Sequence, residues 1–259
     1  MNYGLYLAAS GLMVNQFRQD VVSNNIANLE TPGFRPDMVM IKQRPAESGE
    51  GPATPSNPQK MLEGLGGGVL ADRVRTRFGQ GQLVRSGSPL DVGIKGEGFL
   101  VLSKGSGTGD ERLRFTRDGR LAVGPNGTLI HASSGMEVIG EGNRSIELER
   151  GIDPEISGSG EITQNGQVVG QLQLVTSENP EVFKKAGLNT FLLEGSGARS
   201  VVSAGGAVQQ GWYEASGVDP MGALLELKST SGAIANATRM IRYHDGLMNA
   251  AINRLGRVG

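Results

Sequence analysis

The stretch that decides the architecture is Pro220–Leu255, PMGALLELKSTSGAIANATRMIRYHDGLMNAAINRL. Leu227, Ile234, Ile241, Met248 and Leu255 recur in it every seven residues. Leu224, Ser231, Thr238, Asp245 and Ile252 run beside them as companion positions, so the pattern predicts one long helix with an apolar seam and three polar interruptions. Asp219-Pro220 reads as an N-cap followed by the proline tolerated at the first helical position, and Gly256 as a stop. At 1.5 Å per residue this helix reaches ~54 Å, too long for one capped inside a small globule. Gly222, Gly232 and Gly246 each lower helix propensity by ~1 kcal/mol, so the helix is expected to depend on packing against other helices.

The other end of the chain carries a matching pattern. Leu7, Val14, Phe17 and Val21 make one narrow stripe, which Asn24 and Asn28 continue after the apolar residues stop. Thr31-Pro32-Gly33 then ends the helix, because proline excludes the α region for the residue before it. Two readings of the asparagines stand open: hydrogen bonding across a helix–helix contact, or fraying of a helix end, where asparagine is favoured. The seam is open in the same way. Such a stripe is usually an internal contact, yet the length of the terminal helix and the polar Ser231, Thr238 and Asp245 suit a register-fixing contact between molecules.

Between the helices the pattern changes. Pro45, Pro52, Pro55 and Pro58, followed by Gly64, Gly66, Gly67 and Gly68, mark a linker or extended arm. From Val69 to Glu214 short apolar runs alternate with turn signals: Asp118-Gly119, Asn126-Gly127 and Asn165-Gly166 are hairpin-type dipeptides. Arg112–Thr116, Thr128–Ile130, Glu137–Ile139, Ser145–Leu148 and Gln167–Val175 read as strands. The expected fold is α+β and mainly β. It has a discontinuous, coiled-coil-like terminal domain (1–40 and 215–259), an arm (41–68) and a central antiparallel β domain (69–214).

Composition narrows the chemistry. The 259 residues include 41 glycines, no cysteine and two histidines, with a net charge of −1. Glycine is thus at about twice its ordinary share. The near-zero charge argues against nucleic acid, and the missing cysteines exclude disulfides and thiolate metal sites. No apolar run approaches the ~18 residues of a membrane-spanning helix, and Met1–Ser10 lacks the basic start of a secretory signal. No phosphate-cradling glycine motif appears. Asp91, Glu97, Asp110, Glu111 and Asp118 are read as solvated turn residues, and His131 and His244 as packing or surface residues. No catalytic, cofactor-binding or metal-binding residue is expected, nor any small-molecule substrate. A carbohydrate-binding β domain with helical oligomerisation arms is the competing reading. Against it, aromatic platforms are scarce: only Trp212 and four tyrosines are available.

Several motifs resemble those of bacterial flagellar rod and hook proteins. Ser23-Asn24-Asn25-Ile26-Ala27-Asn28 with Thr31-Pro32-Gly33-Phe34-Arg35 is similar to that family's N-terminal signature. Leu90-Asp91-Val92-Gly93-Ile94-Lys95-Gly96-Glu97-Gly98-Phe99 resembles its central motif. Phe115-Thr116-Arg117-Asp118-Gly119 and Asn126-Gly127-Thr128-Leu129 resemble the turns after it. Gln210-Gly211 and Glu214-Ala215-Ser216-Gly217-Val218-Asp219-Pro220 resemble the approach to the last helix. The order is kept along nearly the whole chain. Departures are Gly217 and Asp219, where asparagine is common, Glu137, where proline is common, and Ser231–Ala235, which replaces a Gln-Arg-Ala-Tyr-Glu run.

The resemblance implies an axial subunit, of the proximal or distal rod, that stacks helically into a hollow structure carrying torque. It implies terminal helices lining an export channel and export through the flagellar type III apparatus without a cleaved signal. The implied partners are further copies of the chain, other rod and hook proteins, the export apparatus and outer ring proteins. The implied assembly interface is Leu7, Val14, Phe17, Val21, Asn24, Asn28, Leu224, Leu227, Ile234, Ile241, Asp245, Met248, Ile252 and Leu255.

Overall fold

The computed structural model describes residues 3–44, 67–105, 112–194 and 201–255. Most of the expected arm, from Pro45 to Gly66, lies outside the described residues, as do Asp110 and Glu111. The architecture is α+β and mainly β, divided into two units. One gathers Met1–Ala27, Asp37–Thr76 and Asp219–Gly259, and the other Asn28–Pro36 and Arg77–Val218.

The first unit contains α1 (Tyr3–Ala27), β1 (Asp37–Gln43), β2 (Val69–Thr76) and α2 (Pro220–Leu255). The Asp219 carboxylate accepts the Met221 N–H at 3.2 Å, the cap that the Asp-Pro pair announces. β1 and β2 form an antiparallel ribbon with a bulge between Val39 and Ile41. Here the chain departs from the boundaries read in its sequence. Ile41–Gln43, read as arm, are strand, because they pair with Ala71, Leu70 and Val69. Those partners, read as part of the central domain, belong with the helices.

The second unit holds the other strands. These are β3 (Leu83–Arg85), β4 (Val92–Lys95), β5 (Phe99–Ser103), β6 (Leu113–Thr116), β7 (Leu121–Val123), β8 (Leu129–His131) and β9 (Glu137–Gly140). They continue with β10 (Arg144–Ser145), β11 (Glu155–Ile156), β12 (Glu161–Gln164), β13 (Gln167–Gln171), β14 (Leu174–Ser177) and β15 (Phe183–Gly187). The last are β16 (Thr190–Leu193), β17 (Val201–Ser203), β18 (Ala207–Gln210) and β19 (Trp212–Glu214). The main sheet runs β15-β16-β6-β5-β9-β8-β7, with β14 and β10 attached to β5 and β9, and β17 attached to β14. β11-β12-β13 form a second sheet, and β4 and β3 pair with β18 and β19. All these pairings are antiparallel.

β5 shows why the core forms where it does. Successive strand residues point to opposite faces. Leu100 and Leu102 enter an aliphatic cluster with Val92, Ile94, Leu129 and Ile162. Phe99 and Val101 enter a second cluster with Phe115, Phe183 and Phe191. The Phe99 and Phe183 rings lie 4.6 Å apart, and Phe115 meets Phe183 edge-on at 5.4 Å. A strand buried on both faces reads as a continuous apolar run, which is what Phe99–Leu102 is.

Two turn and strand expectations need correction. Asn165-Gly166 is a hairpin turn between β12 and β13, with φ of 51° and 75° at the two residues. Asp118-Gly119 is not one: it joins β6 to β7, which are not neighbours in the sheet. Gly119 is needed there because a Cβ would collide with the Val92 carbonyl. Gln167–Val175 is two strands instead of one, since Leu172 bridges to Gly140 and β14 then pairs with β5. Val168 consequently points outward while Leu172 and Leu174 are buried.

Two buried polar clusters bind the second unit together. Glu214, fully buried on β19, receives Arg35 Nη1 on Oε1 at 2.6 Å and Arg117 Nε on Oε2 at 2.8 Å. Burial pushes both guanidinium groups below their ordinary range, and the Glu214 carboxylate acts in the opposite sense. Two arginines against one carboxylate leave an excess positive charge. Carbonyl oxygens absorb it: Gly79 accepts from Arg35, and Gly96 and Gly98 accept from Arg117. The Thr31–Pro36 segment is thereby strapped into the β unit. Gly33 N–H donates to the Glu214 carbonyl at 2.7 Å, and Gly217 N–H to the Phe34 carbonyl at 2.9 Å. Lys185 donates to the Arg35 carbonyl at 2.7 Å and stands 4.2 Å from the Phe34 ring centroid.

The second cluster surrounds Asp118, which is buried and not the solvated turn residue expected from sequence. Arg120 binds both of its oxygens at 3.1 and 3.0 Å, Ser133 donates at 2.9 Å, and His131 Nε2 lies 3.3 Å away. His131 Nδ1 is 2.7 Å from Ser134 Oγ. Burial by itself raises the Asp118 pKa, but contacts with His131 and Arg120 outweigh it and hold the carboxyl far below the usual carboxylate range.

Trp212, the only tryptophan, sits on β19 and reports on this unit. Glu214→Ala leaves two buried arginines unpaired and is expected to cost ~3–5 kcal/mol. Urea titration followed by tryptophan fluorescence checks this, and an unchanged midpoint would remove the triad as an anchor. A depressed folded-state pKa gives stability that is complete above the unfolded value near 4 and lost as pH falls. The urea midpoint should therefore decline below about pH 5, and less steeply in Asp118→Asn.

Candidate functional site

Within the helical unit, α1 and α2 pack together in antiparallel fashion. Arg18 bonds Glu226 at 2.9 Å near one end, Gln19 reaches Ser231 at 3.4 Å, and Gly4 lies against the His244 ring near the other. A side chain on Gly4 would press into that ring, so glycine permits the close approach. The Arg18–Glu226 pair is partly exposed and contributes little, so the pairing rests on apolar contact.

The covered stripe of α2 is Leu227, Thr230, Ile234, Ala237, Ile241 and His244. It shares Leu227, Ile234 and Ile241 with the seam read from sequence, but its companion row is Thr230, Ala237 and His244. The row expected from sequence falls on the outer flank: Leu224, Ser231, Asp245 and Ile252 are exposed and Thr238 is half-buried. Met248 continues the seam and is also exposed. On α1, Val14 is buried, Leu7 and Val21 are half-buried, and Phe17 and Asn24 are exposed. Among the expected interface residues, only the side chain of Leu255 is outside the described set.

The asparagines divide by position. Asn28, half-buried, accepts a hydrogen bond from Thr31 Oγ1 at 3.0 Å, which stabilises the turn after α1. The asparagine that sequence reasoning missed is Asn25, which is buried. Its Nδ2 donates to the Asp37 carbonyl at 2.8 Å, and its Oδ1 accepts the Asp37 N–H at 3.0 Å. The carboxamide thus pairs with the first residue of β1 as a neighbouring strand would. Nothing in a helical stripe marks it, because its partner is a backbone twelve residues away.

Large apolar side chains left in solvent concentrate on this unit. Tyr6 and Met13 stand out from α1; Met221, Leu225, Met240, Tyr243 and Leu247 line one side of α2; Met38, Met40 and Leu70 lie on the ribbon. Patches of this kind mark surfaces that meet other molecules. Among the described residues no cluster of three or more histidine, aspartate or glutamate side chains is arranged to hold a metal ion, and no helix is long and apolar enough to cross a membrane.

A helical unit formed from the two ends of a chain, with apolar faces turned outward, defines the class of assembling structural subunits. The particular family follows from comparison with known proteins. The family described as flagella basal body rod protein matches residues 5–35. The chain is 30% identical to the flagellar basal-body rod protein FlgF of Salmonella typhimurium over 251 residues, 92% of this chain and 90% of that one. It is 29% identical to FlgF of Caulobacter vibrioides over the whole of both chains. It is also 32% identical to the flagellar hook protein FlgE of Treponema pallidum, over 68% of this chain and 37% of that one. The chain belongs to the flagellar basal-body rod protein family.

Asn25→Ala breaks both bonds to Asp37 and leaves that backbone unsatisfied, at ~1–3 kcal/mol. Hydrogen exchange should accelerate across β1 in this variant, and an unchanged rate there would refute the assignment to Asn25.

Proposed function

We propose that the chain is a structural axial subunit of the bacterial flagellar basal-body rod, self-assembling helically with further copies and with other rod and hook proteins. The observation that carries this reading is the placement of exposed large apolar side chains on the helical unit of a member of the rod family. The exposed Leu224 and Ile252 belong to the row beside the stripe that α1 covers, so α2 offers one flank to its own partner helix and the next to a neighbour.

A contact between two different surfaces, repeated by a screw operation, produces an open filament instead of a closed ring. Each large side chain buried at such a contact contributes roughly 1.5–3 kcal/mol. Many contacts in parallel resist torsion, and that is how the rod transmits torque. In this reading the helical units line the export channel, and the subunit leaves the cell through the flagellar type III apparatus without a cleaved signal. Outer ring proteins are further neighbours. Of the residues expected at the interface, Phe17, Asn24, Leu224, Asp245, Met248 and Ile252 are exposed and face a neighbour in this reading, while Leu227, Ile234 and Ile241 serve the contact of α2 with α1 and Val14 is buried within the helical unit.

The exposed row separates assembly from folding. Leu224→Asp with Ile252→Asp places two charges on a solvent-facing flank, so the monomer should keep its urea transition. Buried at a neighbour, an unpaired carboxylate costs several kcal/mol, roughly enough to abolish incorporation. In a strain lacking the native chain, the double variant should be missing from purified hook–basal bodies by mass spectrometry, and cells should not swim. Normal rods and motility would overturn the proposed interface.

A further inference from the structure

Sulfur is unevenly distributed in this chain. There is no cysteine, so the thioethers of nine methionines are its only sulfur. Met1 and Met61 lie outside the described residues. Of the rest, Met13, Met38, Met40, Met221, Met240 and Met248 are all solvent-exposed and all belong to the helical unit. Met221 and Met13 are 67% and 70% exposed. The exception is Met136, which packs against the aliphatic cluster of the β unit. Exposed methionine is otherwise an unfavourable choice for a surface position, and its usual use is on adaptable docking faces.

Resting on the assembly reading above, we propose that these six methionines are a reversible oxidation site that switches the subunit out of assembly. The co-reactant is hydrogen peroxide. Its O–O bond breaks, one oxygen forms a bond to the methionine sulfur, and the other leaves as water; sulfur loses two electrons and the peroxide gains them. The product sulfoxide is polar and accepts hydrogen bonds but donates none. Against an apolar neighbouring face it loses its water without gaining a donor. The six sulfurs are spread over α1, β1 and α2, so a neighbour docking on any of these elements meets at least one. Once a neighbour covers them, peroxide no longer reaches them, and free subunits are the sensitive form. Reduction by a dithiol-dependent sulfoxide reductase removes the oxygen as water and restores the thioether.

The test uses the full chain and hydrogen peroxide. Peptide mass mapping after brief exposure should show the six methionines oxidising at least tenfold faster than Met136. Sedimentation velocity should show at least a tenfold loss of self-association, regained after treatment with both classes of methionine sulfoxide reductase. The tryptophan-detected urea transition of the β unit should not move. A variant with all six replaced by leucine should associate equally before and after peroxide. Oxidised wild type that associates like untreated protein, or a leucine variant equally disabled by peroxide, would overturn the inference. Untreated chain that fails to associate is a distinct result, visible before peroxide is added, and it removes the assembly reading itself.

Discussion

The β unit depends on one carboxylate. Glu214 holds Arg35 from the segment that follows α1 and Arg117 from the turn after β6, at 2.6 and 2.8 Å. Its own strand, β19, is the last before α2. The chain therefore enters and leaves the β unit at a single buried ionic node. Such a node is a poor source of net stability, because desolvating three charges offsets most of their attraction. Its effect is on uniqueness. Each arginine has carbonyl partners placed only when Gly79, Gly96 and Gly98 are in their native positions. Any other arrangement of the Thr31–Pro36 strap leaves charge buried without a partner.

This explains what could and could not be read from the sequence. The helices and a minority of the strands are legible because their signals are local: a heptad in α2, a capping Asp219, an Asn165-Gly166 turn. The node is not, since its members are separated by 179 and 97 residues. Arg35, Arg117 and Glu214 each fall within a motif that resembles the rod and hook family, yet resemblance gives no reason for them. Contact supplies one. Gly33 belongs to the same account: its φ is +67°, and a Cβ would press on the backbone between Arg117 and Asp118. Asp-Gly is a common turn pair, and that local signal alone points to a solvated Asp118. Its burial follows from partners, Arg120, His131 and Ser133, that only the tertiary fold assembles.

The seam of α2 shows a different limit. A heptad establishes that a helix has an apolar face, and it leaves open what covers that face. Leu227, Ile234 and Ile241 serve the contact with α1, but the neighbouring row on one side is Thr230, Ala237 and His244, and on the other Leu224, Ser231 and Ile252. Two rows about 40° or more apart on a helix with 3.6 residues per turn satisfy the same seven-residue spacing. The choice between them was made by residues outside the helix, such as Gly4, whose missing side chain admits the His244 ring.

The contrast between the two units has a physical consequence for a subunit that must exist before it is assembled. The β unit carries two apolar clusters and two buried polar networks. The helical unit leaves Tyr6, Met13, Met221, Leu225, Tyr243 and Ile252 in water. Gly222, Gly232 and Gly246 within α2 reduce its intrinsic helicity further. On the proposed assembly, replacing those exposed apolar residues with charged ones would suit the free monomer and would remove the surface that a neighbour needs. On the assembly proposed above, the apolar area that the isolated helical unit leaves in water is the area that a neighbour would bury.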